Sequence, residues 1–95
     1  MRPRWTAPAL RDLEAIGDYI ARDDRAAAAR MIGRILDQTD LLADQPHLGR
    51  AGRIAGTREL VVTSTPFVVP YRVRNGNVEI LAVFHGARRW PERFD

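Results

Sequence analysis

Two apolar stripes of helical period, with only a few residues between them, restrict the possible folds of this chain more than any other feature. Placed about 100° apart, Ala9, Leu10, Leu13, Ile16, Gly17 and Ile20 fall within about 120° of arc, while Arg11, Glu14, Asp18 and Arg22 lie outside it. Thr6 before Ala7-Pro8 puts a hydroxyl at the N-cap and a proline in the first turn, so a helix is predicted over residues 7–22. Asp23-Asp24 offers the cap for a second helix, whose stripe is Ala28, Met31, Ile32, Ile35, Thr39 and Leu42. So short a link leaves the pair only an antiparallel hairpin. Gly17, inside the first stripe, gives up helix propensity and leaves room for another backbone to approach. Neither helix can hide its stripe by itself, so the rest of the chain has to cover both.

The remaining sequence offers a sheet. Residues 59–63 are β-branched, and residues 67–74 and 78–85 alternate. Asn75-Gly76 between the last two predicts a type I′ hairpin, because that turn needs positive φ at both central positions. Thr63-Ser64-Thr65-Pro66 joins the other pair. Residues 45–56 carry Pro46, Gly49, Gly52 and Gly56 with Arg50 and Arg53 between them, which predicts a basic loop. The predicted fold is α+β: a short N-terminal strand, an antiparallel helical hairpin, then a three-stranded antiparallel meander, all strands in one sheet. Strict alternation puts Phe67, Val69, Tyr71 and Val73 on one side of the middle strand and Val68, Pro70, Arg72 and Arg74 on the other. On the last strand Val78, Ile80, Ala82 and Phe84 oppose Glu79, Leu81, Val83 and His85. With the more apolar sides turned to the helices, Arg72 and His85 are expected on the same open face.

Composition narrows the function classes. At 95 residues, 45% hydrophobic and 28% charged, residues 1–95 are one folding domain with no room for a second. The lack of cysteine excludes a disulfide framework, a thiolate zinc site and thiol catalysis. With two histidines, at 47 and 85, no metal-ligand set has sensible spacing, and no cofactor motif is present: Gly49-Arg50-Ala51-Gly52 lacks the strand and helix that would aim its N–H groups at a phosphate. The longest apolar stretch, residues 80–84, falls far short of the roughly 18 needed to span a bilayer, and the start lacks the apolar core of a signal peptide. A cytoplasmic protein without a membrane partner is expected. All 15 basic residues are arginine, and net charge is +3. Residues 1–49 hold seven Arg against eight acids, whereas residues 50–95 hold eight against four, so the positive potential belongs to the C-terminal half and favours an acidic partner.

The ordered set of Trp5, Asp12-Leu13-Glu14-Ala15-Ile16, Tyr19-Ile20-Ala21, Leu48-Gly49-Arg50, Gly56-Thr57-Arg58-Glu59-Leu60 and His85-Gly86-Ala87-Arg88-Arg89-Trp90-Pro91 resembles the ParE/RelE family of bacterial type II toxin–antitoxin modules over nearly the whole chain. The resemblance implies a meander packed on a helical hairpin and an antitoxin partner that wraps the toxin. ParE-type members poison DNA gyrase, whereas RelE-type members cut messenger RNA on the ribosome. The Gly-Thr-Arg-Glu-Leu and His-Gly-Ala-Arg-Arg-Trp stretches are closer to the ParE side, which implies a gyrase poison with a ParD-like antitoxin.

The alternative, a ribosome-dependent nuclease, has its own chemical demands. Metal-free RNA cleavage needs a base for the 2′-hydroxyl, an acid for the leaving oxygen and cations to hold the phosphate. Glu59 and His85 are the candidates for base and acid, with Arg58, Arg72 and Arg88 as phosphate holders. The absence of lysine, and an ending in Trp90 and Phe94, depart from the lysine, arginine and tyrosine set of RelE-type nucleases. Against catalysis, His85 reads as a hydrogen-bonding strand-end residue, and Glu59 as an ion-pair partner of Arg72 or Arg74. For a binding toxin the candidate target contacts are Arg72, His85, Arg88, Arg89 and Trp90. An antitoxin helix laid over the hairpin, with acidic residues near the basic half, gives Leu13, Ile20, Arg50, Arg53 and Arg58 as candidate antitoxin contacts. Trp90 either packs the tail onto the sheet or touches a partner. Trp5 and Tyr71 read as core, Tyr71 with its hydroxyl bonded, and the acidic residues of the first helix read as a solvated face.

Overall fold

A computed structural model describes residues 2–87 and 90–94. The order is β1 (Arg4–Trp5), α1 (Ala7–Ala21), α2 (Arg25–Asp40), a 3₁₀ turn at Leu41–Ala43, β2 (Arg50–Ala51), β3 (Arg58–Val61), β4 (Phe67–Arg74), β5 (Asn77–Ile80) and β6 (Phe84–His85). Both helix starts form as their residues dictate. The Ala9 N–H donates to Thr6 Oγ1 at 3.4 Å, with Pro8 in the first turn, and the Ala27 N–H donates to Asp24 Oδ1 at 3.0 Å. Each such cap is worth about 1 kcal/mol. The Thr6 hydroxyl also donates to the Ile80 carbonyl at 2.7 Å, so the same side chain that starts α1 ties it to β5.

One sheet runs in the order β1-β5-β4-β3-β2, with β1 parallel to β5 and the other pairs antiparallel. The helices cover one face. Ala9, Ile35 and Leu42 meet Val62, Val69, Tyr71 and Ile80 in the buried core, and Trp5, Leu13, Ile16 and Met31 pack around it. Leu10, placed within the apolar arc by its spacing, is 47% exposed. Gly17 faces a side chain and not a backbone: Ile32 Cγ1 lies 3.4 Å from where a Cβ would stand. The Asn75-Gly76 turn has φ of 53° and 77°, with Arg74 opposite Asn77, as a two-residue type I′ hairpin requires. Gln38 of α2 clamps the other turn, accepting from the Thr63 N–H at 2.8 Å and donating to its carbonyl at 3.2 Å. Among the described residues no helix is long and apolar enough to cross a membrane.

The strand count differs from the expected meander. β2 adds an edge, and the last strand is broken. Tyr71 lies opposite Ile80, but Val68 lies opposite Phe84, so the last strand carries one residue more than β4 between these pairs. Pro70 explains where the break falls. Its carbonyl accepts from the Leu81 N–H at 2.9 Å, and its nitrogen, on the same strand edge, has no hydrogen to give back. Proline inside a sheet is tolerated at such a bulge. Asp12 of α1 then takes the Val83 N–H on Oδ2 at 3.0 Å. Asp12 therefore caps the bulge and does not belong to a solvated face.

The bulge reverses the sides of everything after it. Val83 joins the core with Val78 and Ile80, His85 follows Val83 to the helix-covered side, and Phe84 turns to the opposite side with Val68. Strict alternation had put Arg72 and His85 on one face. The structure puts them on opposite faces.

Candidate functional site

On the helix-covered side, a groove of about 550 Å³ opens between α1, α2 and the β6 end of the sheet, lined by Ile16, Tyr19, Ile20, Met31, Phe67 and His85 among others. His85 stands edge-on to Phe67 at 6.0 Å between ring centres, and its Nδ1 accepts from the Ala87 N–H at 3.1 Å. That bond fixes Nδ1 as the acceptor in the neutral ring, leaving the proton on Nε2. Tyr19 is 65% exposed at the rim.

The second face carries the charge. Two nearly buried carboxylates organise it, Glu59 from β3 and Glu79 from β5. Arg50 binds Glu59 Oε1 through Nε at 3.2 Å and Nη2 at 3.0 Å. Arg53 binds Oε2 through its backbone N–H at 2.8 Å and its Nε at 3.2 Å. Glu79 accepts from Arg72 Nε at 2.6 Å and pairs with Arg74 Nη2 at 3.2 Å and Arg4 Nη1 at 3.8 Å. The predicted pairing of Glu59 with Arg72 or Arg74 is thus replaced. β3 sets Glu59 opposite Pro70, while β5 sets Glu79 directly opposite Arg72. Together the two clusters set five guanidiniums against two carboxylates, an excess of three positive charges between them.

The proton equilibria follow from these bonds. Burial is the largest influence on Glu59 and pushes its pKa up. The Arg53 N–H, the Arg50 hydrogen bond and the charge of Arg53 together outweigh it and hold the carboxyl below its ordinary value. Glu79 is held low first by the Arg72 hydrogen bond, against the opposing effect of burial, with the charge of Arg74 adding to the depression. Both stay ionised near neutrality.

A glycine-dependent loop brings Arg50 and Arg53 to Glu59. The Gly49 N–H donates to Tyr71 Oη at 2.8 Å, and that hydroxyl donates to the Pro46 carbonyl at 2.8 Å, so Tyr71 is core with its hydroxyl bonded as expected. A Cβ on Gly49 would stand 2.7 Å from the Tyr71 ring and 2.8 Å from the Glu59 carbonyl. One on Gly52 would meet the Thr57 carbonyl at 2.8 Å. Arg58 is spent on the same loop, with Nη1 donating to the Gly49 carbonyl at 2.9 Å. Burial, the main influence on Tyr71, raises its phenol pKa, against smaller opposing effects from the Gly49 N–H and Arg58.

The tail crosses this face. The Arg53 guanidinium stands 3.6 Å over the Trp90 ring, Trp90 meets Phe84 edge-on at 4.9 Å, and Phe94 stacks on Phe84 at 6.0 Å. Trp90 packs the tail to the sheet, which it can do because the bulge turns Phe84 to this side. Its Nε1 is buried without a hydrogen-bond partner among the described residues. Arg88 and Arg89, both candidate target contacts, lie outside the described residues.

The nuclease candidates are therefore dispersed. Glu59 and Arg72 share a face but belong to separate ion-pair clusters, Arg58 is held by loop carbonyls, and His85 opens to the groove across the sheet. The antitoxin candidates divide likewise: Leu13 and Ile20 lie on α1 at the helix-covered side, Arg50 and Arg53 on the second face. Sequence reasoning missed the capping role of Asp12, Arg4 and Arg74 as partners of Glu79, and the bulge. Pro70 inside an alternating run was the available signal for the bulge, and parallel pairing of β1 beside Glu79 was not readable.

Comparison with known proteins agrees with the architecture. Residues 4–90 match the family model for the ParE toxin of the type II toxin–antitoxin system parDE. A Sinorhizobium fredii protein named "Putative toxin Y4kP" is 50% identical over 91 residues, covering 96% of this chain and 94% of that protein. The Caulobacter vibrioides protein named "Toxin RelE2" is 45% identical over 84 residues, covering 88% and 93%. A solved structure titled "Chromosomal ParDE TA system from P. aeruginosa" superposes with a TM-score of 0.79 at 30% identity, covering 90% of this chain and 95% of that one. The chain belongs to the ParE toxin family of type II toxin–antitoxin systems.

Proposed function

We propose that this toxin acts in the cytoplasm by binding DNA gyrase, performs no bond cleavage itself, and is neutralised by a ParD-like antitoxin. The observation that carries the reading is the dispersal of Glu59 and His85, the candidate base and acid for RNA cleavage. A general base and acid have to reach one substrate within hydrogen-bond distance, about 3 Å. Glu59 is occupied by four hydrogen bonds and held ionised, and His85 lies across the sheet from it. What the second face does offer is an excess of guanidinium charge beside an aromatic cluster, a composition suited to gripping a macromolecule. Arg72 is the proposed target contact on this face, with Arg88 and Arg89 of the tail, next in sequence to the Trp90 that packs it to the sheet, as further contacts. For the antitoxin, the groove along Ile16 and Ile20 suits the apolar side of a helix, with acidic residues reaching Arg50, Arg53 and Arg58.

Overexpression with parallel readout of plasmid supercoiling and transcript integrity tests the reading. Loss of normal supercoiling and a DNA-damage response with intact transcripts are expected. Rapid codon-linked cleavage of messenger RNA with normal supercoiling would replace it with the ribosome-dependent nuclease. In that case Arg72→Ala and His85→Ala identify whether those side chains take part. Healthy growth on expression without the partner would instead mark a chain that binds its antitoxin without present toxicity.

A further inference from the structure

The second face holds a feature that the gyrase reading does not use. At its hairpin end, a basin of about 610 Å³ lies between the N-terminal segment and the β4–β5 turn, lined by Arg2, Arg4, Arg74, Asn75, Asn77 and Glu79. Residues 4 and 79 are register partners in the parallel β1–β5 pair, and 74 and 77 are partners across the hairpin, so four strand positions aim at one place. One carboxylate faces these arginines and is shared: Glu79 takes its shortest bond from Arg72, outside the basin, at 2.6 Å, and pairs with Arg74 at 3.2 Å. Arg4 reaches Glu79 only at 3.8 Å and is 76% exposed. Arg2 has no ion pair among the described residues. The Asn77 amide makes one long contact, 3.5 Å to the Asn75 carbonyl, and is otherwise available as a donor.

The lining decides which anion suits it. A peptide helix needs aromatic or aliphatic anchors, and the groove on the other face has them in Ile16, Tyr19, Ile20 and Met31. The basin has Val78 alone, which is buried. Guanidiniums and side-chain amides without an apolar anchor are the donor set of contacts to a phosphate backbone. We propose that this basin binds the phosphodiester backbone of a nucleic acid, with Arg2, Arg4 and Arg74 as cations and Asn77 as a neutral donor. The proposal concerns this chain alone and holds whether or not gyrase is the target.

Fluorescence anisotropy of the full chain with a labelled mixed-sequence DNA duplex and a labelled single-stranded RNA, across a salt series, tests it. Arg2→Gln is expected to weaken binding roughly tenfold and to lower the salt slope by about one. Asn77→Ala should weaken binding several-fold with the slope unchanged. Arg34→Gln removes the same charge from the exposed side of α2 and should stay within about twofold of the parent in affinity. Preference for the duplex assigns the backbone to DNA, and preference for the single strand assigns it to RNA. Equal losses in Arg2→Gln and Arg34→Gln would overturn the site in favour of diffuse charge. Parent-like binding by both Arg2→Gln and Asn77→Ala would also overturn it, as would displacement of either oligonucleotide by polyglutamate at equal charge. Gyrase is absent from the measurement, so its failure leaves the gyrase reading to its own test.

Discussion

Glu59 and Glu79 sit nearly buried among guanidiniums on the same face, yet different parts of the chain hold them. Glu79 is served by a strand ladder. Arg72 lies directly across the hairpin and Arg74 two residues further along the same strand, so once the Asn75-Gly76 turn forms these two pairs follow from pleat geometry, and Arg4 joins from the parallel neighbour. Glu59 is served by a short edge strand and a loop. Arg50 lies directly opposite it in the two-residue β2–β3 pair, and Arg53 reaches it from the loop that follows, which is held by the Tyr71 hydroxyl at one end and by the Gly52 N–H to Thr57 carbonyl bond, 2.8 Å, at the other. The same kind of ion cluster is thus built once on a tight two-residue hairpin and once on a two-residue strand and a loop that lean on Tyr71. The second should be the easier to break.

Gly49→Ala attacks the loop-built cluster at its root. Its new methyl meets an aromatic ring and a backbone carbonyl, neither of which has a flexible end, and overpacking of this kind costs about 3 kcal/mol. Denaturant unfolding of the isolated toxin measures it, and a loss below about 1 kcal/mol would mean that Tyr71 can swing aside. Glu59→Gln is next, at about 2 kcal/mol, because the Arg53 N–H and two guanidiniums lose a charged acceptor. Trp90 fluorescence should shift in the same variant, since Arg53 lies both on Glu59 and over the indole. Glu79→Gln should cost less than Glu59→Gln and leave Trp90 emission where it was. Equal costs would erase the distinction between loop-built and strand-built clusters.

Acid sharpens the comparison further. Both carboxyls have folded pKa values below the ordinary 4.5, so the stability they add is fully present above that value and is lost as pH falls through the lower folded values. The parent should therefore lose melting temperature on acidification below about pH 4.5, the unfolded-state value for glutamate. Each Gln variant should show a shallower acid limb than the parent, and the double variant the shallowest. An acid limb unchanged by both substitutions would show that other carboxylates govern it.

The sequence by itself determined the elements whose causes are local. Thr6 and Asp24 start the helices, the apolar stripes choose their buried sides up to Leu10, and Asn75-Gly76 closes its hairpin, because caps, 3.6-residue periodicity and positive φ act within a few residues. Only the tertiary structure decided which face each functional side chain occupies. A single extra residue opposite Pro70 sends His85 to the groove and Phe84 to the tail, since side-chain direction in a strand inverts with every step of register. The partners of Glu59, and Arg4 as a partner of Glu79, were equally out of reach. They depend on a loop folded back over β3 and on a parallel strand more than seventy residues distant in the chain, and no local preference encodes either meeting.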